Sequence, residues 1–284
     1  MKFDKELGFT LLEMGIVLII TSIVAVGVMV TLTDSLTARQ LRDTTSKLEA
    51  IQKALYDYRV AFSRLPCPAD VTQAMTSATF GTEVATPGSC ATANFTSAYD
   101  IEGMVPTRTL RLPDDYAIDS WGRRIMYAVT KDMTQTSAFN IIAGSDATTR
   151  MTVKNADAGA NTTQAAYVLL SFGPNGHGSY SRSGGNARLN GGSTNADEWN
   201  NCDCDTNANP TGLDGIFVQK DATVNSTDRY NNFDDVVMYA TRANLLLQSS
   251  LYWDVIGNGN TLICPTSSMT CVTTNGIKSC TCNQ

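Results

Sequence analysis

An apolar run from Phe9 to Leu32 constrains this 284-residue chain more than any other feature. The run reads FTLLEMGIVLIITSIVAVGVMVTL, and its one ionisable side chain is Glu13, near its start. A helix that crosses a membrane needs about 20 consecutive apolar residues at about 1.5 Å rise each. The run therefore predicts a membrane-spanning helix.

Glu13 is unexpected inside such a helix. An acidic side chain at that depth costs roughly 2.5 to 3.5 kcal/mol on insertion scales, so it usually has a partner and a function. The alternative is a carboxylate that snorkels to the nearby interface, since Glu13 lies only about one turn inside the run.

The residues around the run do not fit a secretory signal. Such a signal has an apolar stretch of about 7 to 15 residues with a small-residue cleavage site after it. Here the run is longer, and the small residue, Gly8, comes before it. The pattern GFTLLE from Gly8 to Glu13 resembles the cleavage and methylation site of type IV prepilins and type II secretion pseudopilins. The resemblance covers Met1 to about Phe62.

The resemblance implies processing and assembly. A prepilin peptidase would cut after Gly8, and the new N-terminus at Phe9 would be methylated. The partners would be an inner-membrane assembly platform and other pilin or pseudopilin subunits. Glu13, then the fifth residue of the mature chain, would neutralise the N-terminal amine of a neighbouring subunit. A contact with the amine of its own helix, at i, i+4, is the other interpretation.

The residues after Leu32 predict that the helix continues. No proline or glycine occurs before Pro66, and apolar side chains recur at helical spacing. This stripe consists of Leu41, Leu48, Ile51, Leu55, Tyr58 and Phe62. It favours packing on the chain's own globular part over packing on a separate partner helix. Pro66 and Pro68 end the helix because proline cannot donate a hydrogen bond and disfavours helix before it.

Four parts follow from these patterns. They are a leader at 1–8, a membrane-spanning and assembly half of the helix at 9–32, an amphipathic half at 33–63 and a globular head at 64–284. In the head, short β-branched and aromatic runs between turn residues indicate strands at 121–129, 139–143, 166–172, 215–220 and 235–240. Segment 241–249 suggests a short helix, and 72–98 and 174–213 suggest long surface loops. The fold class expected is α+β and pilin-like, with the long membrane-spanning helix packed on an antiparallel β-rich head with disulfide-tied loops.

All eight cysteines follow the apolar run, which indicates disulfides formed in an oxidising compartment. Asn275-Gly276 predicts a two-residue hairpin turn that places Cys271 opposite Cys280, so we expect these two to be bridged. Cys67 and Cys90 are expected to pair by proximity. Cys202, Cys204, Cys264 and Cys282 would then pair among themselves and tie the long loop to the tail. Two C-x-C pairs with a single histidine, His177, make a zinc site the weaker interpretation.

Two acidic patterns bear on metal binding. The residues Phe172–Gly176 and Phe233–Asp235 resemble the C-terminal loop of the major pseudopilin, whose acidic side chains and carbonyls hold calcium. The resemblance extends to Asp234, Asp235 and Asn175, and the alternative is that Asp235 caps a strand turn. The second pattern has calcium-loop spacing and consists of Asp203, Asp205, Asn207 and Asp214. It lacks the required glycine and flanking helices, so a disulfide-tied polar loop is the better interpretation.

The sequence favours a structural role over catalysis. His177 lies in a glycine-rich stretch as a loop side chain, no hydrolase, zincin or phosphate-binding motif occurs, and the net charge of −6 argues against nucleic-acid binding. We expect a minor or specialised subunit of a type IV pilus or type II secretion pseudopilus, not an enzyme. The precursor would lie in the inner membrane with its head in the periplasm, and the filament in the periplasm or outside the cell. The alternative is a single-pass anchored periplasmic binding or enzymatic domain.

Overall fold

A computed structural model of the chain describes residues 11–84, 90, 95–96, 100–135, 151–155, 159–247, 269–274 and 277–282. The chain divides into two compact units, Met1–Asp43 and Thr44–Gln284. The first contains the start of helix α1, which runs from Leu11 to Phe62. The second contains the rest of this helix and the sheets.

The predicted membrane-spanning helix is wrong. Within the described residues, no helix combines the length and the apolar character that crossing a membrane requires.

The amphipathic half of α1 is confirmed at its centre. Leu48, Ile51, Leu55 and Tyr58 are buried in one hydrophobic cluster with residues of the sheet, so this face packs on the chain's own globular part. The stripe was predicted too long, because Leu41 is 44% exposed and the final residue, Phe62, is 53% exposed.

The described strands form a seven-stranded sheet and a separate hairpin. In chain order, the sheet contains β1 Phe95–Thr96, β2 Asp100–Met104, β3 Met126–Thr130, β4 Met151–Lys154, β5 Ala160–Ser171, β6 Ile216–Val218 and β7 Val236–Thr241. Its order is β1-β2-β3-β5-β4-β6, and β7 also pairs with β5. The 12-residue strand β5 thus joins three neighbours.

The expectation of a purely antiparallel head is also wrong. Strand β6 runs parallel to β4, with Val153 opposite Phe217, so the sheet is mixed. A parallel pair needs a long crossover connection, and the segment between β5 and β6 is long enough to supply it.

Side chains of the central strands alternate between two cores. Tyr127 and Val129 of β3 lie in the cluster that contains the α1 face, whereas Met126 and Ala128 lie in a second cluster. This two-residue alternation is the ordinary geometry of a strand. The second cluster also contains Phe172, Tyr180 and Phe217, from segments that follow β5. The long connection therefore covers one face of the sheet.

Within the described residues, two short α-helices, and 3-10 turns at Asp114–Ala117 and Lys131–Thr134, accompany the sheet. Helix α3, Arg242–Leu247, agrees with the helix predicted at 241–249. Helix α2, Ala196–Cys202, lies inside a segment predicted as loop. Asn195 caps it, since its side chain accepts a hydrogen bond from the Asp197 N–H at 2.9 Å. Asparagine followed three residues later by glutamate is a capping pattern that could have revealed this helix from sequence.

The hairpin register is confirmed. Strands β8, Met269–Thr274, and β9, Ile277–Cys282, pair antiparallel with Thr274 opposite Ile277 and Cys271 opposite Cys280. The turn residues Asn275 and Gly276 lie outside the described residues, as does the predicted strand at 139–143.

Candidate functional site

Three carboxylates converge beside the start of β7. Glu198 comes from α2, and Asp234 and Asp235 immediately precede the strand. One oxygen from each lies within 4.8 Å of the others, which is close enough for one cation to contact all three. Glu198 and Asp235 are buried, and Asp234 is half-buried.

Amide groups hold these carboxylates. The Asn175 Nδ2 donates to Glu198 Oε1 and Oε2 at 3.0 and 2.9 Å, and the Asn175 N–H donates to Asp234 Oδ2 at 3.3 Å. The Asp234 N–H donates to Glu198 Oε1 at 3.0 Å. Asn201 Nδ2 donates to Asp235 Oδ2 at 2.9 Å. Asn175, Asp234 and Asp235 of the sequence prediction are therefore together, and Glu198 is an addition that the sequence analysis missed.

The cluster carries more negative charge than its neighbours balance. Burial, followed by the charge of Glu198, raises the pKa of Asp234 to about 7 and raises the pKa of Asp235 well above its usual range. Asp234 Oδ1 and Asp235 Oδ1 are buried without a hydrogen-bond partner in the described part of the chain. Each of these oxygens should bind a proton or a cation, because a buried carboxylate without a partner raises the free energy of the folded state.

Backbone geometry brings Asp234 close to the end of β5. Gly173 has a φ of +54°, and a Cβ built there would lie 2.1 Å from the Asp234 carbonyl oxygen. Arg123 binds the same turn through the Gly173 carbonyl and, at 2.7 Å, the Pro174 carbonyl. Only glycine permits this approach, so Gly173 positions the cluster without contributing a ligand.

Asn175 faces the cluster with its amide nitrogen. Its Oδ1 accepts a hydrogen bond from the His177 N–H at 2.8 Å. A cation would require the amide to turn, since only an oxygen can be a ligand of a hard cation. The three carboxylates would supply the charge, and Asn175 would supply a neutral ligand.

The structure contains two disulfides among the described residues. Cys67 is bonded to Cys90, the pair expected from proximity. Cys202 is bonded to Cys204, so the expectation that these two tie the long loop to the tail is wrong. The side chains of Cys271 and Cys280 lie outside the described part, and their bridge stays a prediction.

The sulfurs of Cys202 and Cys204 lie near His177, but they are bonded to each other and are not free thiolate ligands. His177 is buried, with Nε2 2.9 Å from the Asp205 carbonyl and Nδ1 3.4 Å from the Ser193 N–H. It therefore links backbone segments of the long connection.

The second acidic pattern lies in a loop that the Cys202–Cys204 disulfide ties at its start, so the preferred interpretation as a disulfide-tied polar loop is confirmed. The Asp214 N–H donates to Asp203 Oδ1 at 3.2 Å. Asp205 instead accepts from the backbone N–H groups of Asn207 and Asn209, at 2.8 and 2.9 Å. The Asp203 and Asp205 carboxylates thus accept hydrogen bonds from backbone N–H groups of the loop itself.

The N-terminal processing residues Gly8 and Phe9 lie outside the described residues. Glu13 lies in the first turn of α1 and is exposed. Around it, large apolar side chains are exposed along residues 11–24, which we call the apolar segment: Leu11 is 95%, Leu18 64% and Ile23 67% exposed.

Comparison with known proteins adds no assignment. No family model, no curated protein and no solved structure matches the chain.

Proposed function

We propose that the chain is a structural subunit of a type IV pilus or type II secretion pseudopilus, and that copies assemble through the N-terminal part of α1. The observation that carries this proposal is the exposed apolar segment. Its large side chains include Leu11, Leu12, Ile16, Val17, Leu18, Ile19, Ile20, Ile23 and Val24.

An exposed apolar surface of this kind should be buried against another molecule. Residues that follow each other without a polar gap, such as 16–20, point to all sides of a helix. A helix that is apolar all round is stable only when it is surrounded, and large exposed apolar surfaces mark interaction sites. Packing the same segment of many copies head to tail produces an open filament.

Glu13 fits this proposal. Within a bundle of apolar segments, its carboxylate would lose water and need a cation. The resemblance at Gly8 to Glu13 supplies one, the N-terminal amine freed by cleavage after Gly8. The disulfides Cys67–Cys90 and Cys202–Cys204 support a head that matures in an oxidising compartment.

The test introduces one charge into the apolar segment. The Leu18→Lys variant should be produced in normal amounts but be nearly absent from sheared filaments, because a lysine cannot be buried without a partner. Ala38→Lys, at an exposed position of the same helix beyond this segment, is the matched control and should assemble normally. Equal incorporation of both variants would overturn the proposal.

Mass spectrometry of the mature N-terminus separates the proposal from its alternative. Methylated Phe9 supports a filament subunit, whereas an intact Met1 supports an anchored periplasmic binding or enzymatic domain that is not assembled into a filament.

A second role concerns calcium. The orphaned oxygens of Asp234 and Asp235 beside Glu198 support a structural Ca²⁺ site, as the resemblance to the major pseudopilin loop implies. Bound calcium would neutralise the cluster and fix α2 to the start of β7.

A further inference from the structure

A second group of buried acids lies away from the carboxylates around Glu198. Glu102 is in the centre of β2, and Asp203 follows α2 between the two bonded cysteines. Both side chains are buried, at 5% and 4% exposure. Their carboxyl groups face each other, although the two residues lie 101 positions apart in the chain (203 − 102).

A hydrogen bond between two carboxyl groups requires a proton. When both groups are ionised, each has only acceptors, and the contact becomes a repulsion between like charges. In that form Glu102 Oε1 and Asp203 Oδ2 have no donor in the described part of the chain. A shared proton satisfies both side chains at once.

Asp203 also organises the turn to which it belongs. Asp203 adopts a left-handed conformation, with φ of 47°, which among residues other than glycine is adopted mainly by asparagine and aspartate. Its carbonyl accepts the Thr211 N–H at 2.8 Å, and its Oδ1 accepts the Asp214 N–H at 3.2 Å. Asp203 therefore organises residues 203–214, which we call the acid turn.

We propose that Glu102 and Asp203 share one proton that fastens the acid turn to β2, and that removal of this proton at rising pH releases the turn. The pair is thus a pH-sensitive latch between the sheet and the end of α2.

The neighbouring charges support the direction of this effect. Asp100 and Arg188 face both members of the pair, and Asp214 faces Asp203. Tyr180 lies near Glu102 as a neutral phenol. The Arg188 guanidinium therefore faces a group of four carboxyl side chains, and it also donates a hydrogen bond to the Cys202 carbonyl.

Burial, followed by the charges of Asp203 and Asp100, raises the pKa of Glu102 well above its usual range. Burial, followed by the charge of Asp214, raises the pKa of Asp203 to about 7. Groups whose pKa is raised on folding stabilise the fold at low pH and lose that effect as pH rises through the folded value. The latch is therefore closed near pH 5 and opens toward pH 8.

The experiment uses the purified full chain in nonionic detergent with EDTA. Thermal unfolding and hydrogen exchange are followed between pH 5 and pH 8, with exchange corrected for its intrinsic pH dependence. In the wild type, the acid turn should lose protection toward pH 8. In Glu102→Gln, the side-chain amide N–H can donate a hydrogen bond to the ionised Asp203 carboxylate, so protection of the acid turn should persist at pH 8. The fall in Tm from pH 5 to pH 8 should shrink by about 3 to 6 °C.

Asp203→Asn provides a second variant, because asparagine tolerates the left-handed conformation and its amide can donate to Glu102. Glu49→Gln, an exposed acid of the second unit, is the control and should follow the wild type. Equal protection of the wild-type acid turn at pH 5 and pH 8 would overturn the latch. The latch would also be overturned if Tm fell with pH equally in the wild type and in both amide variants.

Discussion

The side-chain amide of Asn175 donates to both carboxylate oxygens of Glu198, at 3.0 and 2.9 Å. This contact joins the turn after β5 to helix α2, and through Glu198 to Asp234 and Asp235. Asn175 belongs to the predicted calcium pattern, whereas Glu198 lies in a segment that the sequence analysis predicted to be a loop. The long connection that covers one face of the sheet thus supplies Asn175 and Glu198 to the acidic cluster.

Calcium should stabilise the second unit through this cluster. At millimolar Ca²⁺ and pH 7.5, Tm should rise by several degrees, since a ligand at about 100 times its Kd contributes about 2.7 kcal/mol. Glu198→Gln should remove most of this shift because it deletes one of three carboxylate ligands. Asp221→Asn, an exposed acid outside the cluster, should keep it. A wild-type Tm that does not respond to Ca²⁺ would rule out the site.

Without calcium, the same cluster should make stability depend on pH. The pKa of Asp234 is raised to about 7, so its contribution is present below pH 4 and is lost as pH rises through 7. The free energy of unfolding should therefore fall by roughly 1 to 3 kcal/mol between pH 5 and pH 8. Asp234→Asn should reduce this fall, as measured by urea unfolding in EDTA. An unchanged slope in the variant would show that Asp234 does not titrate in this range.

Ile51 should be essential to the packing of α1 on the sheet. It is fully buried among residues of the first cluster, so Ile51→Ala should destabilise the second unit by about 2 to 5 kcal/mol. Val60→Ala, at a position of the same helix that is 54% exposed, should cost far less. Urea denaturation of the two variants measures the difference, and similar midpoints would contradict this packing.

Glu13 should act in assembly more than in folding. Glu13→Ala should fold and be cleaved normally but enter filaments poorly, because the N-terminal amine would be buried without a counter-charge. Quantifying the subunit in sheared filaments measures the loss. Glu49→Ala removes an exposed carboxylate from the same helix and should assemble like the wild type. Normal incorporation of Glu13→Ala would exclude the charge-pairing role.

The tail hairpin should be closed by a Cys271–Cys280 bridge. The two residues lie opposite each other in the β8–β9 register, and opposite positions of an antiparallel pair are close enough for a disulfide. Peptide mapping under non-reducing conditions should recover one peptide that joins them. Recovery of Cys271 linked to any other cysteine would refute the pairing.

Local patterns predicted the features that depend on neighbours in sequence. The spacing of Leu48, Ile51 and Leu55 identified the buried face of α1, because helical periodicity is a property of the segment itself. Asn275-Gly276 predicted the register of β8 and β9 for the same reason, since a two-residue turn sets which residues face each other.

The same patterns were wrong about extent and about pairing at a distance. The predicted membrane-spanning helix relied on the apolar composition of residues 9–32. The parallel alignment of β6 on β4 had no local signal in the sequence. Alternation of side chains reports which face a strand buries and not which strand lies beside it.

The sequence by itself determined the amphipathic helix face and the hairpin register, because periodic or adjacent residues define each of them. The candidate ligands Asp234 and Asp235 came from the resemblance to the major pseudopilin loop. Only the tertiary structure decided that Glu198 joins those ligands and that Glu102 meets Asp203. Contacts between segments this far apart depend on how α2 and the long connection pack on the sheet. That packing is a sum over many side chains, so no single motif in the sequence records it.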